Sequence, residues 1–594
     1  MKKINSIILL LACVFMFSRC SDSAYTDKYT DPNKITTVQI DKLFVAVLST
    51  CNDYCIAGYG RYYAGDNGFL AHFSQSFGYG YSNGMYGPNN PSWADKYGSF
   101  CSVAAHFKLL EIIYNDMSES DKTKYEGYYL CAKVHTYAFM LAILDTQGDI
   151  PWEGMGLVAA TGDYSYTNAY FNKAEDLYKL ILTDMKEIGT KLGNMTLPFN
   201  ESQDWINQGN AKKWQIYANS LRLRTAMRVA SQGALSADGR AAIAEILGNP
   251  SAYPVISNNS ENIFVLNLRT GPVNAEGGGG LDDNGAPWAF ASGFMLSRML
   301  SDFDRTTWSG VYDNDGTDDP RVPIYWGLAT ASKQKVTGYP SYTDANGNVI
   351  EQAGVEIPEV FRGATPEMSQ DDHSAYTTSA NGISKVRYNG FFWHNENFDH
   401  PIISAAEIGF IKAEAYLNGW ASGDPKTAFK EAVALSFDWY FSQHNKKSRA
   451  DVAIPADGKN YTAWVLNIDL DYWTAEKIDE FAEARWSKQV DGSPYDSQLD
   501  AIITQKYIDF GYMYVREAWC EIRRTGYPSG LVFPTTIDSK LPNVPARWEY
   551  PSNEINFNKN FLVYADGSKS PLLDDYYAST NNAKKYYQKL FWAK

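Results

Sequence analysis

Residues 211–230 read AKKWQIYANSLRLRTAMRVA, and this stretch indicates the class of the fold. Its large apolar side chains, among them Trp214, Tyr217 and Leu221, recur at the spacing of one face of an α-helix. The segment therefore predicts an amphipathic helix. Further segments with the same spacing lie on both sides of it.

The predicted helices follow one another along most of the chain. They cover residues 39–57, 93–117, 121–144, 172–188, 211–230, 403–417, 425–441 and 497–524. Short polar turns join several neighbours, which predicts antiparallel helix pairs. Stacked pairs would form a tetratricopeptide-like solenoid, although the repeat signature of that fold is not visible in the sequence. The fold class is therefore expected to be mostly α.

Long segments rich in Gly, Asn and aromatic residues separate some of these helices. They span about 58–92, 258–291 and 308–401. Loops of this length in a compact domain are usually functional or disordered, and their aromatic content argues against disorder. Within the last segment, Asn346-Gly347 predicts a β-hairpin.

The aromatic and asparagine side chains of these segments predict a binding surface. Aromatic rings stack on the apolar C–H faces of sugars, and asparagine binds their hydroxyl groups; a peptide would use the same groups. The candidate ligand-binding residues are Tyr79, Tyr81, Asn83, Tyr86, Trp93, Trp288, Phe290 and Tyr339. Trp308, Trp326 and Tyr342 lie in the same segments. The alternative is a large helical core that uses most of the 42 Tyr and 16 Trp residues.

The overall composition excludes some classes of partner. The chain has 594 residues, of which 45% are hydrophobic and 20% are charged, as in globular proteins. Its net charge of −15 repels phosphate backbones, so a nucleic acid is not expected as a partner.

The N-terminus has the layout of a secretory signal peptide. Two lysines precede an apolar run at 7–17, which is too short to span a membrane, and Cys20 follows. A bacterial lipoprotein signal places a thiol there for acylation, and several acyl chains give a stable membrane anchor. Arg19 stands where a small residue is usual, and Cys13 fits the local pattern better. Cys13 would, however, leave an apolar stretch at the new N-terminus, so Cys20 is the predicted attachment site; a cleaved signal without lipid is the alternative.

The sequence lacks the arrangements that most enzymes need. No glycine-rich loop is followed by the Lys and Ser/Thr of a phosphate-binding site, and no cofactor is expected. The segment 394–400 lacks the spacing of a helical zinc site, and 313–316 lacks the closing Glu of a calcium loop, so no metal is expected. The acid pairs Asp282-Asp283 and Asp318-Asp319 leave a secreted all-helical glycoside hydrolase as the alternative function.

Fragments spread over nearly the whole chain resemble one family. They are Tyr-Thr-Asp-Pro-Asn at 29–33, Trp-Ala-Asp-Lys-Tyr at 93–97, Gly-Asp-Ile-Pro-Trp at 148–152, Ala-Asn-Ser-Leu-Arg-Leu-Arg at 218–224, Asp-Pro-Arg at 319–321, Glu-Ile-Gly-Phe-Ile-Lys-Ala-Glu-Ala at 407–415, Gln-Lys-Tyr at 505–507, Glu-Ala-Trp at 517–519, Arg-Arg-Thr-Gly-Tyr-Pro at 523–528, and Tyr-Pro at 550–551 with Glu554. Each fragment is short, but their order along the chain is the family's. The chain thus resembles the SusD/RagB nutrient-binding lipoproteins of Gram-negative outer membranes, in their SusD-like branch.

The resemblance implies a fold, a role and a partner. It implies a signal peptide at 1–19, a lipidated tether at 20–38 and a single SusD-like helical domain at 39–594, in which stacked helix pairs carry ligand-binding loops. It implies a protein that binds an oligosaccharide or peptide at the cell surface and closes it into a SusC-like TonB-dependent transporter. The family's shared fragments are expected to be scaffold, with Arg523 and Arg524 satisfying buried acids or carbonyl groups.

Overall fold

A computed structural model describes residues 39–51, 70–78, 92–264, 290–313, 315–327, 329, 341–343, 349–351, 360–369, 371–372, 382–384, 401–445, 470–533, 545–573 and 588–594. Helices dominate these residues, which confirms the predicted mostly α fold. None of the helices within these ranges has both the length and the apolar character that crossing a bilayer requires.

The longer helices are numbered in chain order. They are α1 Ile40–Thr50, α2 Ser92–Asn115, α3 Glu119–Gln147, α4 Ala174–Leu192, α5 Ala211–Ala230, α6 Ser236–Gly248, α7 Ala405–Leu417, α8 Pro425–Asn445, α9 Ala475–Ser487, α10 Gln498–Phe510 and α11 Val515–Thr525. Short α-helical turns occupy Ala71–Phe73, Leu157–Thr161, Gly293–Ser297, Val322–Tyr325 and Ser552–Phe557, and 3₁₀ turns occupy Tyr164–Asn168 and Asn259–Glu261.

Short strands form two-stranded antiparallel pairs. The strands are β1 Ile263–Phe264, β2 Ser309–Gly310, β3 Ser341–Thr343, β4 Val349–Glu351, β5 Phe361–Arg362 and β6 Pro401–Ile403. β1 pairs with β6, β2 pairs with β5, and β3 pairs with β4. The last pair places Tyr342 opposite Ile350, as expected of the predicted hairpin, whose turn residues Asn346 and Gly347 lie outside the described residues.

Side chains at the helix starts explain several boundaries. Ser118, Asn210 and Ser404 each accept a hydrogen bond from the backbone N–H three residues later. Such caps satisfy a backbone donor that the first turn leaves without a partner.

The prediction of one continuous helix over 497–524 is wrong. α10 ends at Phe510, and Gly511 has a φ of +50°, a left-handed conformation that stops the helix. The backbone then turns before α11 begins at Val515. Two further helices, α6 and α9, were not predicted from the sequence, although Thr474 is a recognisable N-cap for α9.

Helices that follow one another in the chain pack against each other. α2 packs on α3, α4 on α5, α7 on α8, and α10 on α11, and α3–α4, α5–α7 and α7–α10 contacts join these pairs into a stack. Three apolar clusters lie between them: one spans α1 to α6, one lies between α7, α8, α9 and α10, and one surrounds α11 and the residues 70–77 and 291–326. The predicted arrangement of stacked helix pairs is thus confirmed.

A network of buried ion pairs joins the stack across its middle. Arg228 of α5 bonds Asp145 of α3 through Nε at 3.1 Å, and its terminal nitrogens bond Glu517 and Glu521 of α11. All four side chains are almost fully buried. Ion pairs therefore join helices that are far apart in the sequence.

Two further arginines extend the network to α7. Arg524 of α11 holds Glu414 with both terminal nitrogens at 2.6 and 2.7 Å, and Arg224 of α5 holds Glu407 at 2.6 and 2.5 Å. Arg523 donates instead to backbone carbonyls of α3 and of the segment at 546. The expectation that Arg523 and Arg524 satisfy buried carbonyls and acids is correct.

The cations of the network keep two of its buried acids, Glu517 and Glu521, ionised. Burial acts to raise the pKa of Glu521, but Arg524, Lys506 and Arg228 outweigh it and lower that pKa. The pKa of Glu517 is lowered in the same way, since Arg224 and Arg228 offset its burial. Both carboxylates are thus charged at neutral pH.

We expect Arg524→Met to lower the free energy of unfolding by about 3–5 kcal/mol, because removing one partner leaves buried carboxylates without a cation. Lys430→Met, which breaks surface ion pairs with Asp479 and Glu483, is the control and should change it little, since solvent screens those pairs. Urea denaturation of both variants measures the difference. Similar losses for the two would show that the buried network does not determine stability.

Candidate functional site

The described ends of the aromatic-rich segments meet in one hydrogen-bonded array. We call it the loop platform, and it consists of residues 77–78, 290–293, 308–310, 361–364 and 382–384. Gly78 is the last described residue before segment 79–91, and Phe290 is the first described residue after segment 265–289. The Gly78 N–H donates to the Phe290 carbonyl at 2.8 Å, so these two ends are adjacent.

The third aromatic segment joins the same array. The Ala364 N–H donates to the Ala291 carbonyl at 2.9 Å, and the Ala291 N–H donates to the Ser384 carbonyl at 2.7 Å. The Ser384 N–H in turn donates to the Arg362 carbonyl at 2.9 Å. Residues from all three predicted loops therefore form a single backbone ladder, which sequence spacing alone did not reveal.

Two glycines let the strands of the platform approach closely. A Cβ on Gly363 would lie 2.3 Å from the Gly293 nitrogen and 2.4 Å from its Cα. A Cβ on Gly78 would lie 2.3 Å from the Ala291 carbonyl oxygen. Such distances are far below van der Waals contact, so the platform requires glycine at both positions.

Two larger residues beside the platform have a left-handed backbone. Gln75 has a φ of 53° and Trp308 a φ of 55°, which is rare for residues with a Cβ. Gln75 is held by the Tyr507 hydroxyl, which donates to its carbonyl at 2.7 Å, and by its own amide, which donates to the Val532 carbonyl at 2.6 Å. Backbone strain of this kind concentrates at functional sites.

Trp308 lies in the platform but was not among the candidate ligand-binding residues. Its carbonyl accepts from the Gly363 N–H at 3.0 Å, and its side chain is partly exposed. Trp326, from the same segment, is fully buried, and its ring contacts Phe77 and Tyr512. Only the structure distinguishes the two, because neighbouring tryptophans of one loop look alike in sequence.

The predicted ligand residues lie mostly beyond what the structure describes. Phe290 is 4% exposed and packs with Ala364 and Ile383 under the platform. Trp93 belongs to α2, but its side chain is outside the described part. The residues that lie outside the described ranges are Tyr79, Tyr81, Asn83, Tyr86, Trp288, Tyr339 and the predicted lipid site Cys20. These assignments therefore stay predictions.

Histidine near the platform is buried and neutral. Burial lowers the pKa of His72 to about 4, although a hydrogen bond with the Gly78 backbone acts in the opposite direction. His72 lies in the short helix that leads to Gly78. At neutral pH it therefore contributes no charge to this end of the platform.

The described acid pair has a structural role. Asp319 binds Arg321 through both oxygens, and Arg321 also donates to Ser436 and Gln505 at 2.8 Å each. Asp318 accepts from the backbone of Ser301 at 2.7 Å and of residue 313 at 2.8 Å. Both carboxylates are buried and already accept hydrogen bonds from groups of the protein. The other acid pair, 282–283, lies outside the described residues.

Within the described ranges, one group of side chains has the spacing of a metal site. It consists of Asp145, Glu517 and Cys520. Arg228 already binds the two carboxylates, so this group belongs to the buried ion network.

The chain matches the model of a known protein family. A family model named SusD-like, with the description "starch-binding associating with outer membrane", matches residues 85–551. No curated protein matches the chain.

Solved structures match over almost the whole chain. A chitin-binding protein is 19% identical with a TM-score of 0.63, and the match covers 94% of this chain and 100% of that one. A SusD homologue from Bacteroides fragilis is 17% identical with a TM-score of 0.61, covering 93% and 100%. A chitin-binding SusD homologue from Flavobacterium johnsoniae is 16% identical with a TM-score of 0.55, covering 87% and 93%. At these identities the similarity establishes the fold.

We expect Gly363→Ala to disrupt the platform, because the new Cβ would collide with the Gly293 backbone, at a cost of about 1–3 kcal/mol. Gly248→Ala at the end of α6 is the matched control, since a Cβ there meets nothing within 4 Å. Limited proteolysis and urea denaturation should show faster cleavage and lower stability for Gly363→Ala alone. Equal behaviour of the two variants would contradict the close approach described here.

Proposed function

The chain belongs to the SusD-like family, whose members are described as starch-binding and associated with the outer membrane, and on that premise we propose that it binds carbohydrate at the cell surface. One observation supports a site on the loop platform: the described ends of all three aromatic-rich segments are hydrogen-bonded to one another there. A rigid array that carries several loops is a common way to build a binding site.

The chemistry of these segments suits a sugar chain. Tyrosine and tryptophan offer flat apolar faces to sugar rings, while asparagine pairs with hydroxyl groups. We propose that Tyr79, Tyr81 and Trp288 supply such faces and that Trp308 adds another from the side of β2. Because two of the similar structures are chitin-binding proteins, chitin oligosaccharides are the first probes to use. Starch oligosaccharides and peptides are the other candidates.

The hydrogen bonds and the ion pair of Asp318 and Asp319 favour a binding function over a hydrolytic one. A glycosidase needs two carboxyl groups that face a substrate, one of them able to donate a proton. Asp319 is instead tied to Arg321, and Asp318 is surrounded by backbone donors. We therefore propose a binding protein and not an enzyme.

The proposed place of action is the outer membrane. We propose that residues 1–19 are removed as a signal peptide, that Cys20 carries the lipid, and that 20–38 tether one SusD-like domain at 39–594 to the membrane. In this position the protein would deliver its ligand to a SusC-like TonB-dependent transporter. The family's association with the outer membrane supports this placement.

Replacing any one of Tyr81, Trp288 and Trp308 by alanine should weaken carbohydrate binding at least about tenfold, because buried aromatic contacts dominate binding energy. Tyr164 and Tyr166, which are 80% and 40% exposed and are not part of the loop platform, provide control substitutions that should leave binding unchanged. A glycan array followed by calorimetry measures both sets. Loss of stability with unchanged affinity would assign these aromatics to the core.

Cys20→Ala should abolish incorporation of labelled lipid and release the protein from the membrane fraction, whereas Cys13→Ala should not. Affinity purification of the unaltered protein from membranes should also recover a β-barrel transporter. Labelling that is lost only in Cys13→Ala would move the anchor to that residue, and recovery of no barrel would contradict the proposed partner.

A further inference from the structure

A cavity of about 450 Å³ lies outside the loop platform. Its walls come from the turn at Gly148-Asp149, the start of α4, and the C-terminal segments 564–572 and 588–591. Arg547 also lines it. These elements take no part in the proposed carbohydrate site.

Arg547 is a buried cation without a full set of acceptors. Its side chain is 1% exposed. Nη2 donates to the Tyr550 hydroxyl at 3.2 Å, but Nε and Nη1 have no hydrogen-bond partner. Leaving such donors buried and unpaired costs free energy, and the cost is larger for a charged group.

The acids in the cavity wall form no hydrogen bond with Arg547. Asp149 accepts from the Ala174 N–H at 2.8 Å, the Tyr564 hydroxyl at 2.7 Å and the Ser570 hydroxyl at 2.8 Å. Its carboxylate therefore caps α4 and is already occupied. Glu175, the other acid of the lining, is partly exposed in the first turn of α4.

Three lysines add positive charge at the edge of the cavity. Lys173, Lys569 and Lys589 line it and are exposed, and none of them forms an ion pair with another residue in the described ranges. The lining thus contains four cationic side chains against two acidic ones. The positive end of the α4 dipole adds to the same field.

We propose that this cavity binds a small oxyanion, such as a carboxylate, sulfate or phosphate group. Arg547 would bind it with a charge-assisted hydrogen bond from Nε or Nη1, the two guanidinium nitrogens that have no partner in the protein. The exposed lysines would attract the anion and close over it. This site is independent of the carbohydrate site, so either can exist without the other.

Titration calorimetry on the full chain tests the proposal with three probes: sodium sulfate, sodium phosphate and sodium glucuronate. We expect at least one to bind, and Arg547→Gln to weaken it tenfold or more. Arg240→Gln, at an exposed arginine that bonds backbone carbonyls, is the control and should bind as the unaltered protein does. Absence of binding of every probe at about 10 mM, a very weak affinity, would overturn the proposal.

A second variant covers the possibility that Arg547→Gln does not fold. The double substitution Lys173→Gln/Lys569→Gln changes only exposed side chains and should weaken binding several-fold. If it and a folded Arg547→Gln both bind as the unaltered protein does, the proposal is overturned. Tighter binding of glucuronate than of sulfate and phosphate assigns the site to an acidic sugar, and the reverse order assigns it to a free inorganic anion.

Discussion

The buried ion network is the constraint on which the rest of the structure depends. Arg228 and Arg524 bring together acids from α3, α7 and α11, which are far apart in the chain. A buried charge is tolerated only when its partners are complete, so a shift of one helix along another would leave carboxylates uncompensated. We infer that the network specifies the register of the stacked helices.

The same helices hold the loop platform in place. The Tyr507 hydroxyl of α10 donates to the Gln75 carbonyl. The ring of Trp519 of α11 packs on that of Phe73, with their centroids 5.9 Å apart. The segment that ends at Gly78 is thus fixed by the scaffold before it leads into the aromatic residues. A rigid scaffold can therefore carry loops of changing sequence, which is how one fold supports many ligands.

The buried arginines among the described residues differ in how many of their N–H groups have a hydrogen-bond acceptor. Arg524 binds Glu414 and Glu521 and leaves only Nε without a hydrogen-bond partner, and Arg321 binds Asp319 and neighbouring polar groups. Arg547 is equally buried but keeps two donors without an acceptor and faces a cavity. Arg524 and Arg321 stabilise the fold, whereas the two unpaired donors of Arg547 beside a cavity are the basis of the proposed anion site.

The scaffold role of Arg524 was implied by the resemblance to the family. Local pattern in the sequence was sufficient for most of the longer helices, though not for α6 and α9, because helix periodicity depends on residues within a few positions of each other. It misjudged the end of α10, where a single glycine adopts a left-handed conformation. The aromatic segments were recognised from composition, but not that their ends meet, nor that Trp308 is partly exposed while Trp326 is buried. Only tertiary structure decided these points, since separation along the chain does not determine separation in space.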